Sequence, residues 1–234
     1  MQTPTICKED KYMTIEKNIP TQEKMEKAAQ ALKKNNMQVY IVQTCEEAVE
    51  KVGELLKEGE TISCGGSVSL SESGVLDLMK SGKYNFLDRS KCTSREEMEE
   101  IYRKSFFADT YLTSANAVTL NGEIYNVDGN SNRVAAIAYG PKSVIFVVGC
   151  NKIVNDLDEA VLRIKKVAAP ANGTRLELDT PCGKTGQCIS CTNGKDTTKG
   201  CYSSGRMCCS YLVSAYQRHK DRYKVILVAQ PLGY

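Results

Sequence analysis

The residues best suited to chemistry are cysteines concentrated in one segment. Six of the eleven cysteines fall between residues 182 and 209, at Cys182, Cys188, Cys191, Cys201, Cys208 and Cys209. Four thiolates suffice for a metal site, and the short Cys188-x2-Cys191 spacing lets two of them reach one ion from one turn. The chain has a single histidine, so such a site must be all sulfur, which suits iron–sulfur clusters and zinc alike. The alternative is a loop of reduced or disulfide-paired thiols.

A second candidate is the glycine turn Cys64-Gly65-Gly66-Ser67, between a predicted strand and a predicted helix. Glycines there let the backbone approach a ligand, and free N–H groups favour a phosphate or carboxylate. The turn lacks the lysine of a P-loop and the third glycine of a dinucleotide fingerprint. A tight strand-to-helix turn without a ligand is the alternative, and a buried Cys64 is expected over a reactive one.

The third candidate is an asparagine-rich stretch, residues 113–133, which directly follows a predicted strand. Open α/β sheets bind ligands at the carboxyl ends of their strands. Asn116 and Asp128 offer polar groups to a small molecule, and Arg133 can place its fork on an anion. We interpret Asn121-Gly122 as turn chemistry instead.

The elements that must position these residues alternate between capped helices and strands. Thr44 with Glu47 and Ser94 with Glu97 are typical helix starts, and the apolar run Val144–Gly149 predicts a strand buried on both faces. The alternation predicts an α/β fold with a mainly parallel sheet flanked by helices. Residues 179–209 lack periodicity and are interpreted as a Cys-rich insertion. Two apolar runs near the C-terminus predict a closing β-hairpin.

Composition excludes several classes of protein. The 234 residues carry 31 basic and 28 acidic side chains, too even a balance for a nucleic-acid partner. No segment approaches the ~20 apolar residues of a membrane span. Residues 1–4 begin no secretory signal, so we expect a cytoplasmic protein. Clustered cysteines in a reducing compartment favour metal or redox chemistry.

Several motifs together resemble a known family, the LUD domain of lactate-utilisation proteins. The matching segments are Gly65-Gly66-Ser67-x-x-Leu70, Ala108-Asp109, Thr113–Ala117, Asn121-Gly122-Glu123, Asn126–Gly129, Asn132-Arg133, Gly140-Pro141, Val147–Gly149 and Asn151-Lys152. The resemblance implies a single LUD-type α/β domain over residues 1–234, with the insertion at 179–209 inside it. It also implies a glucosamine-6-phosphate deaminase, ribose-5-phosphate isomerase or CoA-transferase-like fold.

The resemblance also implies site residues. Together with the stretches above, it gives as ligand-binding positions Gly65, Gly66, Ser67, Asn116, Asn126, Asp128, Arg133, Asn151 and Lys152. Some LUD proteins share the Pro-Cys-x-x-Thr-Gly-x-Cys-x-x-Cys and Arg-x-Cys pattern, which gives as metal ligands Cys182, Cys188, Cys191 and Cys208. A [4Fe–4S] cluster is expected, with structural zinc as the alternative. Cys201 and Cys209 stay unassigned.

The implied function is a part in using lactate or a related hydroxy acid, with a small anionic metabolite as ligand and an iron–sulfur protein as partner. A sugar-phosphate isomerase or acyl/CoA transferase of the same fold is an alternative, using Glu123 or Asp128 as the catalytic carboxylate. Similar isomerases carry Asp where this chain has Asn116, and an amide cannot act as a base. A third alternative is a non-catalytic subunit of an iron–sulfur oxidase complex. Whether the chain is itself an enzyme, an oxidoreductase component, is left open.

Overall fold

Ten strands form two sheets in a computed structural model that describes residues 22–190 and 197–234. The six-stranded sheet has the order β1-β10-β7-β4-β2-β3 with every pair parallel, and the four-stranded sheet has the order β8-β5-β6-β9. The strands are β1 (Gln38–Val42), β2 (Thr61–Cys64), β3 (Asn85–Leu87), β4 (Thr110–Thr113), β5 (Ala117–Thr119), β6 (Ile124–Asp128), β7 (Ser143–Gly149), β8 (Ile153–Val154), β9 (Ser210–Ser214) and β10 (Tyr223–Val228).

Helices cover both faces of the larger sheet. They are α1 (Gln22–Lys34), α2 (Cys45–Leu55), α3 (Val68–Glu72), α4 (Val75–Met79), α5 (Arg95–Lys104), α6 (Asn132–Tyr139), α7 (Leu157–Arg163), α8 (Ala169–Arg175) and α9 (Pro181–Thr185). A π-helical turn, Ile164–Ala168, joins α7 to α8. The caps predicted at Thr44 and Ser94 are confirmed, since these residues begin α2 and α5 by accepting from the N–H groups of Glu47 and Glu97. The caps of α3 and α7 are Ser67 and Asp156, each close to a residue for which the sequence predicts a cap, Ser69 and Asn155. In the described part of the chain, no helix has the length and apolar character that a membrane crossing requires.

Strand β7 lies at the centre of the six-stranded sheet and is buried on both faces, as its apolar run predicts. Successive side chains of a strand point to opposite faces, so Phe146 and Val148 enter one core while Ile145 and Val147 enter the other. The first core includes residues of α1 and α6, and the second includes residues of α2, α3 and α4. The predicted mainly parallel α/β fold is therefore confirmed.

The four-stranded sheet is also covered on both faces. Val118 and Ile124 pack into the first core, whereas their neighbours Ala117 and Tyr125 pack against α7 in a third core. The carboxyl end of β6 thereby reaches the edge where β2, β4 and β7 of the larger sheet end. That edge holds the candidate site.

The two predicted C-terminal strands are present, but they do not pair with each other as a hairpin. Strand β9 pairs with β6 in the smaller sheet, whereas β10 inserts between β1 and β7 of the larger one. The connection between them is held by other elements: Gln217 N–H donates to the Asn35 carbonyl, and the Arg222 guanidinium donates to carbonyls that include those of Ile137 and Pro141. These contacts direct the chain from one sheet to the other.

Gly122 gives a test of how the β5–β6 turn packs on α1. It has a φ of 81°, and a Cβ there would lie 2.5 Å from the Ala31 carbonyl carbon. Gly59 has a φ of 77° with nothing within 4 Å, so it is the matched control for backbone strain alone. Gly59→Ala is expected to lower the free energy of unfolding by about 1–2 kcal/mol. Gly122→Ala is expected to cost at least ~2 kcal/mol more, because helix backbone must move. Urea unfolding measures both, and equal costs would contradict this packing.

Candidate functional site

A crevice opens at the carboxyl edge of the parallel sheet, where α/β proteins bind ligands. The segments that leave three strands reach it: Gly66 and Ser67 after β2, Ser114 and Asn116 after β4, and Lys152 after β7. The predicted glycine turn and the predicted asparagine-rich stretch thus meet at one site.

The crevice encloses a cavity of about 440 Å³, within the range of small-molecule sites. Among the described residues, five basic side chains and one acidic side chain line the cavity. The basic residues are Arg89, Arg133, Lys152, Arg175 and Arg206, and the acidic residue is Asp128. This excess of positive charge favours an anionic ligand.

Arg133 is held by the protein itself. All five of its N–H donors find protein acceptors at 2.7–3.2 Å. The acceptors are the Asp128 carboxylate, the side-chain oxygens of Asn116 and Asn126, and the carbonyls of Ser114 and Val127. The sequence suggested that Arg133 forks onto an anion, but its donors are already directed inward because these acceptors surround it. Arg133 therefore forms the cavity wall.

The side-chain oxygens of the polar residues around Arg133 are occupied in the same way. Asp128 accepts from Arg133 through one oxygen and from the Val134 N–H, at 2.9 Å, through the other. The Asn116 side-chain oxygen also accepts from the Val127 N–H at 2.9 Å. Asn126 is wholly buried behind Arg133, and its side-chain N–H group has no partner in the described structure. These residues shape the cavity more than they offer free groups to a ligand.

The two glycines of the turn make room for arginines. A Cβ on Gly65 would lie 3.0 Å from Cδ of Arg133 and 2.9 Å from the Tyr111 hydroxyl. A Cβ on Gly66 would lie 2.5 Å from Nη2 of Arg89. The pair therefore lets one arginine pack beneath the turn and a second lie against it.

Lys152 is buried and lines the cavity. Its ammonium donates to the hydroxyls of Ser69 at 2.7 Å and Ser114 at 3.2 Å. The neighbouring Asn151 lies outside the cavity lining and instead ties down the C-terminal segment. Its side chain donates to the Gly233 carbonyl and accepts from the Leu232 N–H.

Glu123 is not brought to the cavity. It lies in the β5–β6 turn, where its carboxylate accepts from the Thr119 hydroxyl at 2.5 Å. Cys64, at the end of β2, packs against the core, and burial raises the pKa of its thiol to about 12. Cys64 is thus a half-buried strand-end residue that packs on the core.

Four of the clustered cysteines surround a second, smaller cavity. Its lining includes Cys182, Cys188, Cys201 and Cys208. Burial raises the pKa of the Cys188 thiol, and the neighbouring Cys208 and Cys182 raise it further. Cys191 of the predicted ligand set lies outside the described residues. Within the described ranges, no three Cys, His, Asp or Glu side chains are close enough to hold a metal ion.

Arg206 fixes the loop that carries these thiols. Its guanidinium donates to the carbonyls of Thr198, Cys201 and Cys208 at 2.7–3.2 Å. Cys209, by contrast, is exposed, and its thiol donates to the Arg206 carbonyl. The loop therefore directs Cys201 and Cys208 inward and Cys209 outward.

A buried hydroxyl beside the thiols has no partner. Tyr125 is 1% exposed, and its hydroxyl finds no hydrogen bond in the described structure. It lines a small cavity with Cys188 and Cys208, and burial together with Tyr211 and Cys208 raises the pKa of its phenol. Native proteins rarely leave such a donor unmatched. Tyr125 is therefore a buried donor beside Cys188 and Cys208 that lacks an acceptor among the described residues.

The two cavities share a wall. Arg206, Met207 and Cys208 line both of them, and the Asp128 carbonyl accepts from the Cys209 N–H at 2.9 Å. The end of β6 therefore anchors the cysteine loop against the cationic cavity.

The parallel sheet with a ligand-sized cavity at its carboxyl edge defines an α/β protein whose site is built from strand ends. A family model of the LUD domain matches residues 25–228, so the chain belongs to the LUD domain family. Among solved structures, a DUF162 family protein from Deinococcus radiodurans is 16% identical, with a TM-score of 0.49 over 88% of this chain and 96% of that chain. Comparison with curated proteins finds no match. The broader fold-family name stays a prediction.

Arg133→Lys tests whether the cavity wall depends on the guanidinium. Lysine has three donors in a different geometry, so buried acceptors lose their partners, and we expect a loss of about 2–4 kcal/mol in the free energy of unfolding. Arg95→Lys, at an arginine whose side chain is 85% exposed, is the control and is expected to stay within ~0.5 kcal/mol. Urea unfolding compares the two. Equal stabilities would show that the network does not hold the wall.

Proposed function

We propose that this LUD-family protein takes part in using lactate or a related hydroxy acid, by binding a small anionic metabolite beside a cysteine-ligated metal centre. The observation that carries the proposal is the shared wall. Arg206, Met207 and Cys208 line both the cationic cavity and the thiol-lined cavity. A ligand and a metal centre held there are neighbours.

The chain's own residues have distinct roles in this proposal. Lys152 and the arginines at the cavity attract and orient the anion, and Arg133 keeps the wall in shape. Cys182, Cys188 and Cys208, with Cys191 as the fourth, would hold the metal, and the unpartnered Tyr125 hydroxyl would supply a hydrogen-bond donor beside these thiols. When bound, a [4Fe–4S] cluster supplies electron transfer, whereas zinc fixes the loop.

The isomerase and transferase alternatives receive less support from the geometry. Both need a carboxylate free to react at the cavity. Among the described lining residues, Asp128 has the acidic side chain, and its two oxygens already accept from the Arg133 guanidinium and the Val134 N–H. Glu123 is bonded to Thr119 away from the cavity. The alternative of a non-catalytic subunit of an iron–sulfur oxidase complex agrees equally well with the geometry. A comparison of the activity of the purified chain with and without an iron–sulfur partner distinguishes the two functions.

Metal analysis of anaerobically purified protein tests the metal centre. We expect the wild type to contain iron and acid-labile sulfide, and Cys188→Ser to lose most of both because a ligand is removed. Cys209→Ser is the matched control and is expected to keep them, since Cys209 is exposed and outside the thiol-lined cavity. One zinc without sulfide would favour the structural alternative. A wild-type protein without metal, or equal losses in both variants, would contradict the proposal.

A further inference from the structure

We propose that Arg89 and Arg175 are two anion anchors of the cavity, which takes a hydroxylated metabolite carrying two separate anionic groups. A phosphorylated hydroxy acid is the simplest member of that class. The inference rests on the proposed anion-binding function and names its ligand class and two residues that the sequence did not single out.

The basic side chains that line the cavity differ in whether other groups of the protein already pair with them. Arg133 is matched by Asp128, and Arg206 is held by the carbonyls of its own loop. Arg89 and Arg175 form no ion pair with any carboxylate of the described residues, although both line the cavity. Two guanidinium groups on separate elements therefore remain to face a ligand.

Arg89 is positioned without being neutralised. It follows β3, and its Nη1 donates to the Tyr102 hydroxyl at 3.1 Å, with the guanidinium 6.0 Å from that ring's centre. Its Nη2 lies over Gly66, where a Cβ would be only 2.5 Å away. Tyr102 and Gly66 thus hold the guanidinium at the glycine turn, and among the described residues its hydrogen bond is the one to Tyr102, out of five N–H donors.

Arg175 is positioned from a different element. It ends α8, and its Nε donates to the Tyr234 hydroxyl at 2.7 Å while Nη2 donates to the Asn172 side chain at 2.8 Å. The Tyr234 hydroxyl donates to the same Asn172 oxygen at 2.9 Å, which closes a ring of three side chains. These neutral partners orient Arg175 and leave its charge available to an anion.

The size and lining of the cavity agree with a ligand larger than lactate. A volume of about 440 Å³ falls in the range of sites for ligands much larger than a three-carbon acid. Hydroxyl and amide side chains of Ser67, Asn130, Asn132 and Ser204 also line it. Such groups bind hydroxyls, so the lining matches a hydroxylated skeleton with a charged group at each end.

Isothermal titration of the anaerobically purified full chain tests the inference with matched probes. The probes are 3-phosphoglycerate against glycerate and glycerol 3-phosphate, and ribulose 1,5-bisphosphate against ribulose 5-phosphate. At least one two-group probe is expected to bind about tenfold or more tightly than its one-group partners, because each added charged hydrogen-bonding contact is worth about a factor of ten or more. Arg89→Gln and Arg175→Gln should each remove that advantage.

Two further variants separate a lost contact from a damaged fold. Gly66→Ala displaces the Arg89 guanidinium while keeping the residue, and it should cause a similar loss. Arg103→Gln, at an exposed arginine of α5 outside the cavity lining, should change nothing. Equal binding of one-group and two-group probes, or an advantage that survives in both arginine variants, overturns the inference and leaves anion binding standing. Failure of every probe to bind overturns anion binding as well.

Discussion

The guanidinium of Arg133 lies between the end of β6 and the segment that leaves β4, and it donates to five protein acceptors. Charged hydrogen bonds that exclude water are stronger than exposed ones, and their acceptors are costly to leave unmatched. The network therefore fixes three segments relative to one another. A Cβ on Gly65 would crowd both the Tyr111 hydroxyl at 2.9 Å and Cδ of Arg133 at 3.0 Å, so a side chain there would make these groups shift.

The same network reaches the cysteine loop. Asp128 pairs with Arg133 through its side chain and accepts the Cys209 N–H through its carbonyl. Gly129, the next residue, allows the backbone of Met207 to approach, since a Cβ there would lie 3.3 Å from the Met207 Cα. One wall thus serves a cationic cavity on one side and a thiol-lined cavity on the other. Positive charge at this wall favours an anion in the cationic cavity.

The sequence predicted the sheet well because its signals are local. The run Val144–Gly149 is apolar throughout, and helix caps such as Thr44 depend on residues three apart. The convergence of the glycine turn with Asn116 followed from the general rule for strand ends. The predicted hairpin was wrong because strand pairing depends on distant partners: β9 and β10 join β6 and β7, which lie far away in the chain.

Roles within the site were harder to predict for the same reason. Arg133 carries the local signal of an anion-binding arginine, but acceptors 5 to 19 residues earlier in the same asparagine-rich stretch fold back and occupy its donors. Arg89 and Arg175 stand in no motif, and the folded chain alone brings them to one cavity. The glycine at position 66 is a signal that sequence reasoning could have used. The pattern indicates space for a ligand, and the Arg89 guanidinium fills part of that space.

In the proposed site, Arg133 supports the cavity wall, and other basic side chains bind the anion. A crystal structure of the protein with 3-phosphoglycerate bound tests it most directly. We expect the ligand's anionic groups at Arg89 and Arg175, with Arg133 still bonded to Asp128, Asn116 and Asn126. A structure in which Arg133 leaves Asp128 to bind the ligand, while Arg89 and Arg175 remain in solvent, would contradict the account.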